Sequence, residues 1–181
     1  MLPWGHAAVG YLCYTLWLRV RRHHPPVGPA VVALAIGTQF PDLVDKPLSW
    51  SFGILPSGRS LGHSLVVAAL LAAGLWWLAR RAERRREVGA FVCGHVTHIA
   101  ADVAPAVGAG QWVRLRWLAW PLLPAYVYPG ELDRSLVGFV LTLNPAAVPA
   151  GGVVLTAVAF LVWVADGRPG VETVCVRFRR L

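Results

Sequence analysis

The sequence predicts an all-α, polytopic integral-membrane bundle of about five transmembrane helices, and three observations carry that expectation. Of 181 residues, 56% are hydrophobic and only 14% are charged, far from a soluble average. The apolar residues gather into five runs of about 14 to 20 residues, the length scale of a bilayer core. The arginines fall in short groups between those runs. A single domain over residues 1–181 accommodates all of them. The net charge of +8 does not suggest nucleic acid as a partner, because the basic residues flank apolar segments and do not line one face.

Residues 3–20 form the first run, closed by Arg19, Arg21 and Arg22. No basic segment precedes it and no clear cleavage site follows, so it reads as an uncleaved helix. Residues 27–40 form the second run. At 14 residues it is too short to span unless it continues through the Asp42 turn or is buried among neighbours. A Gly/Pro/Ser-containing loop occupies residues 48–60. Residues 61–79 form the third run, ended by the arginine-rich stretch 80–86, and residues 88–107 form the fourth. Residues 111–144 interleave Trp112, Trp117, Trp120, Tyr126 and Tyr128 with prolines and a few charges, which suits an interfacial or re-entrant segment. Residues 146–164 form the last run.

Arginine placement then sets the orientation. With the N-terminus outside, every basic residue except Lys46, Arg59, Arg114, Arg116 and Arg134 is cytoplasmic. The expected location is the plasma or inner membrane. Cys13, Cys93 and Cys175 are too few and too scattered for a disulfide framework or a zinc knuckle.

The chemistry centres on residues 94–103. His95, His98 and Asp102 share one helical stripe inside an apolar run, where unpartnered polar groups are expensive. His6, Asp42 and His63 stand near the outer ends of three other segments. At about 1.5 Å per residue, these residues and the His98/Asp102 pair lie about 18 to 26 Å above the cytoplasmic boundary. Four segments thus bring lone polar residues to one depth, as a metal site would require.

Asp42, His63, His98 and Asp102 offer two nitrogens and two carboxylates, a set suited to zinc, with manganese or iron as substitutes. His6 and His95 leave room for a second ion. Asp45 serves as a ligand, as a partner orienting an imidazole, or as a general base. His95 is a further candidate proton acceptor, and Arg59 a candidate phosphate clamp. His23 and His24 adjoin arginines on the opposite side and read as surface residues.

The combined pattern resembles the YdjM-like, LexA-regulated, membrane-bound metal-dependent hydrolases. The resemblance rests on His6, Pro41-Asp42-x-x-Asp45, Arg59-Ser-Leu-Gly-His63-Ser64 and Gly94-x-x-x-His98-x-x-x-Asp102, and covers about residues 1 to 105. The order Asp42, His63, His98, Asp102 is also similar to the ligands of one metal in zinc-dependent phospholipase C and related zinc nucleases. No histidine follows Asp102, so the later ligands of those multi-zinc sites have no counterpart here.

Two functions are compatible with these residues. The first is a hydrolase using metal-activated water on a phosphoester, in a lipid or lipid-linked substrate because the site is sunk below the outer interface. The second is a metal-binding transporter or sensor. Residues 70–79 and 27–36 carry no ionisable group, which disfavours an ion path through the inner half.

Overall fold

Proline in the first turn starts α1 (Pro3–Arg22), which ends on basic residues with His23 in the left-handed conformation as its cap. In the computed structural model, which describes residues 2–131, 133–142 and 149–178, every regular element is a helix and no strand occurs among the described residues. After α1 come α2 (Gly28–Lys46), a π-helical turn (Pro47–Ser51), α3 (Leu65–Arg81), α4 (Arg85–Gly108), a 3-10 helix (Trp112–Ala119), α5 (Leu136–Leu141), α6 (Ala150–Ala165) and α7 (Val171–Phe178).

The all-helical expectation holds, while helix length and apolarity do not establish the five-span count. By length and apolarity α4 alone, among the described residues, is sufficient to cross a membrane; α6 is apolar but has 16 residues, and α3 has 17. The second apolar run does not stop at Phe40. It continues through Pro41 and Asp42 to Lys46, so Asp42 and Asp45 lie on one helical turn. The third helix starts later than its apolar run. Ser64 caps it, accepting hydrogen bonds from the N–H groups of Val66 and Val67, so His63 belongs to the loop before α3. The start of the last apolar run, residues 146–148, lies outside the described residues.

The core is the crossing of α2 and α4, with α1 laid across both. Gly37 and Gly94 allow it. A methyl group on Gly37 would overlap the Phe91 backbone, and one on Gly94 the Leu34 carbonyl, so the two helix backbones are in direct contact. Below this crossing Tyr11, Tyr14, Leu18, Val31, Leu34 and Ala90 form an apolar cluster. A second cluster joins Ala68 of α3, Ile99 of α4 and the fully buried Trp117 of the 3-10 helix. The outward faces of α3 and α6 expose Leu70, Leu78, Val154 and Leu161, apolar surface that suits lipid contact.

Candidate metal centre

The molecule is polar where a soluble protein would be apolar. His6, Thr38, Asp45, Ser57, Ser60, His63, Ser64 and His98 are each at most 1% exposed. These residues meet where α2 ends, because Asp45 folds the following loop back under the helix. Its carboxylate accepts the N–H groups of Ser60 (2.7 Å), Gly62 (2.7 Å) and His63 (3.3 Å), and the His63 Nδ1–H at 2.8 Å. Gly62 is required at this bend. A Cβ there would stand 2.8 Å from Pro41 Cα and 3.0 Å from its carbonyl oxygen.

His98 is fixed from the other side. Its Nδ1 donates to the Thr38 carbonyl at 2.6 Å. With Nδ1–H of both imidazoles committed, the Nε2 lone pairs of His63 and His98 face each other at 3.2 Å. Asp42 Oδ1 lies 3.6 Å from His63 Nε2 and 3.8 Å from His98 Nε2, and Asp102 Oδ2 lies 3.6 Å from His63 Nε2. Asp42, His63 and His98 thus offer three donor atoms within 4.8 Å of one another, and Asp102 approaches the same point from the His63 side. Ligand bonds of about 2.0 to 2.2 Å in a tetrahedron set donor atoms about 3.3 to 3.6 Å apart, close to the separations seen. Each imidazole also donates its second nitrogen to a carboxylate or carbonyl, the usual support of a metal-binding histidine. The donor set fits a divalent ion.

His6 extends the set. Its ring stacks on His98 with centroids 3.8 Å apart, its Nε2 lies 3.5 Å from Asp102 Oδ1, and its buried Nδ1 has no hydrogen-bond partner. Two ligand groups thus share His98: Asp42 with His63, and His6 with Asp102. At His63 the neighbouring carboxylates favour positive charge. Burial alone would lower the His63 pKa, yet the surrounding Asp102, Asp45 and Asp42 carboxylates outweigh it and raise it above the usual value.

The three residues expected to act around the cluster take different places. Arg59 donates from Nε to Asp102 Oδ2 at 2.7 Å and lies 5.1 Å above the Tyr128 ring. Burial opposes its charge, but Asp102 outweighs it and raises the guanidinium pKa. Asp45 takes the imidazole-orienting place, with four donors already on its two oxygens. His95 stands apart from the cluster. Its Nε2 donates to the Gly62 carbonyl at 2.7 Å and its ring packs edge-on against Phe40 and Phe91, so it ties α4 to the loop that carries His63.

Several site residues escape sequence reasoning. Lys46 binds Asp42 Oδ2 at 2.5 Å and not its neighbour Asp45, a pairing that the i, i+4 spacing could have signalled. Thr38 contributes only a carbonyl, which no side chain advertises. Ser64, besides capping α3, donates to the Trp120 carbonyl, next to the cis Trp120–Pro121 bond, and Trp117 places its ring edge against His63. Glu131, which sequence alone does not link to the cluster, is 4% exposed and accepts from Ser57 Oγ, from Gly58 N–H at 2.8 Å and from Tyr128 N–H at 2.9 Å.

A family model described as "YdjM inner membrane protein" matches residues 1–168. The chain belongs to the YdjM inner membrane protein family. It is therefore a membrane protein, and the match runs past the four ligand segments to take in the Trp/Pro-rich stretch and α6. No curated protein and no solved structure gives a significant match. Within this YdjM family member, His6, Asp42, Asp45, His63, His95, His98 and Asp102 lie in α1, α2, α4 or the loop before α3.

Proposed function

We propose that this YdjM family protein is an integral-membrane metal-dependent hydrolase, acting on a phosphoester in a lipid or lipid-linked substrate. The observation that carries the reading is the pair of imidazole lone pairs facing each other at 3.2 Å between the Asp42 and Asp102 carboxylates. Lys46 and Arg59 already compensate the two carboxylates, but the two facing imidazole nitrogens have no protein donor between them, and a metal ion would fill that place. Asp42, His63, His98 and Asp102 would hold the first ion, most suitably zinc, and His6 with Asp102 and His98 supplies donors toward a second. An ion held there supplies Lewis acidity, acidifying water and polarising the bond to be cleaved.

The chain's own residues do the rest. Asp45 holds His63 in the tautomer that aims Nε2 inward, and Thr38 does the same for His98. His95 pins the Gly62 carbonyl and so the path of the loop. Arg59 is the group placed to neutralise substrate phosphate. The bundle reads as five spans, α1 to α4 and α6, with the site toward the extracytoplasmic face.

The test is metal content and turnover together. The purified protein should carry at least one zinc per chain, lose turnover of phospholipid or lipid-phosphate analogues with EDTA, and regain it with zinc. Turnover that survives in a His98→Ala, Asp102→Ala double variant would sink the reading, and metal flux in proteoliposomes that depends on His98 would favour transport instead.

A further inference from the structure

Lys46 and Arg59 are the two cations that touch the cluster, and each is bound to a different one of its carboxylates. Lys46 Nζ is 2.5 Å from Asp42 Oδ2, and Arg59 Nε is 2.7 Å from Asp102 Oδ2. Asp42 reaches His63 Nε2 at 3.6 Å with its other oxygen, and Asp102 reaches it at 3.6 Å with the same Oδ2 that accepts from Arg59, so the cations approach His63 through different carboxylates. Arg59 is 30% exposed, Lys46 and its partner Asp42 are 14% and 13%, and His63 and Asp102 are 0% and 3% exposed. Lys46, Asp42 and Arg59 are thus the members nearest solvent.

Both are held by built surroundings. Lys46 Nζ lies 4.8 Å from the Phe139 ring centroid and 5.6 Å from that of Trp50. Arg59 rests on Tyr128, and Glu131 ties that arrangement together: it binds the Tyr128 N–H and the Ser57–Gly58 turn, whose Ser57 Oγ accepts the Arg59 N–H at 3.1 Å. A buried carboxylate is thus spent on fixing where one guanidinium stands.

Charge counting says what the pair is for. At this end of the molecule, residues 41–64, 102 and 109–135 carry five acidic and five basic side chains. A divalent ion adds two positive charges. With the ion on Asp42 and Asp102, Lys46 and Arg59 lose the compensation that those carboxylates gave them, in surroundings that screen poorly. An anion carrying up to two charges restores the balance.

We infer that Lys46 and Arg59 form a two-sided cationic clamp that receives a phosphate group bearing one or two free negative charges at the mouth of the cluster, with Glu131 as the positioning residue for the Arg59 side. This rests on the metal-centre reading. It narrows the ligand to a phosphate with at least one unesterified charged oxygen, presented by a lipid or by a soluble phosphate.

The test uses the full chain, zinc-loaded and freed of excess metal, in phosphatidylcholine nanodiscs. Binding of inorganic phosphate and of dihexanoyl phosphatidic acid is measured by calorimetry, with zinc stoichiometry read on the same samples. Both probes should bind, and Lys46→Gln or Arg59→Gln should weaken them about tenfold or more at unchanged zinc, as expected for a lost hydrogen bond to a charged group. Lys46→Arg should stay within about threefold of the unaltered protein, and Glu131→Gln should weaken binding with zinc retained. Phosphatidic acid binding much tighter than phosphate supports a lipid source, and equal binding a soluble one. If both Gln variants keep zinc and bind phosphate within twofold of the unaltered protein, the clamp is overturned while the metal centre stands. If the unaltered protein holds no zinc, the metal reading fails, and dependence of phosphate binding on Lys46 and Arg59 is still read directly.

Discussion

At the scale of single residues, the geometry depends on which hydrogen bonds are already committed. Asp45 resembles a catalytic carboxylate in sequence, three residues from Asp42 and inside the same motif. Its four hydrogen bonds make it the residue that aims His63. An Asp45→Asn variant would present an NH2 group to donors and cease to fix the His63 tautomer. Zinc affinity should fall about 10- to 100-fold with the helical content unchanged, as competition titration with a chelating dye would show. Gly62→Ala should act on the same loop by a different cause, pressing a methyl group against the Pro41 backbone. Asp42, His63, His98 and Asp102 were legible because unpartnered polar residues in apolar runs are conspicuous. The roles of Asp45, His95 and Glu131 were not, since each is decided by backbone groups whose positions depend on the path of a loop. His95 shows this most plainly: its spacing from His98 puts both on one stripe, yet the Gly62 carbonyl takes it.

At the scale of elements, two contacts set how the helices can assemble. The α2–α4 crossing relies on Gly37 and Gly94, and Gly94→Ala should force the backbones apart. Overpacking of this kind costs about 1–3 kcal/mol, visible as a lower thermal midpoint in detergent, and it should weaken zinc binding too because Thr38 and His98 lie across that contact. The second contact joins α1 to α6. Asp166, whose side chain is fully buried, accepts from Tyr11 at 2.7 Å and Thr15 at 3.0 Å and pairs with Arg19. Asp166→Ala leaves these donors unpartnered and should cost about 1–3 kcal/mol of stability. Its zinc affinity should not change, since none of its partners touches the cluster, and a matching loss of zinc would refute that separation. Element boundaries were the least legible part of the chain. The second apolar run, residues 27–40, is too short to span, which leaves open in sequence whether its helix continues through the Asp42 turn or is buried among neighbours. In the structure α2 runs on through the buried Pro41 to Lys46, and that extension is what puts Asp42, Asp45 and Lys46 on one helical turn.

At the scale of the whole molecule, the polar groups separate toward two ends. The Asp42–His63–His98 cluster occupies one. At the other, Arg80, Arg85 and Arg86 border the same hollow as Val27 and Pro29 at the start of α2, and Arg19 reaches Asp166 at the end of α6. The arginine groups that the chain distributes over three segments are therefore gathered together, away from the candidate site. With 24 residues, α4 is about 36 Å long and joins the two ends across a hydrocarbon thickness of about 30 Å. The bias of arginine toward the cytoplasmic side then predicts an outward-facing metal centre. Single cysteines test this directly, in a background where Cys13, Cys93 and Cys175 are replaced. Phe52, 68% exposed in the loop beside the cluster, and Arg84, exposed between α3 and α4, mark the two ends. In intact cells an impermeant maleimide should label Phe52→Cys, and should reach Arg84→Cys only after the membrane is opened. Labelling of both from outside would remove the five-span topology and leave the site without an assigned side. The reverse pattern would keep the spans but turn the centre toward the cytoplasm, where its phosphate ligand would have to come from the inner leaflet or the soluble pool.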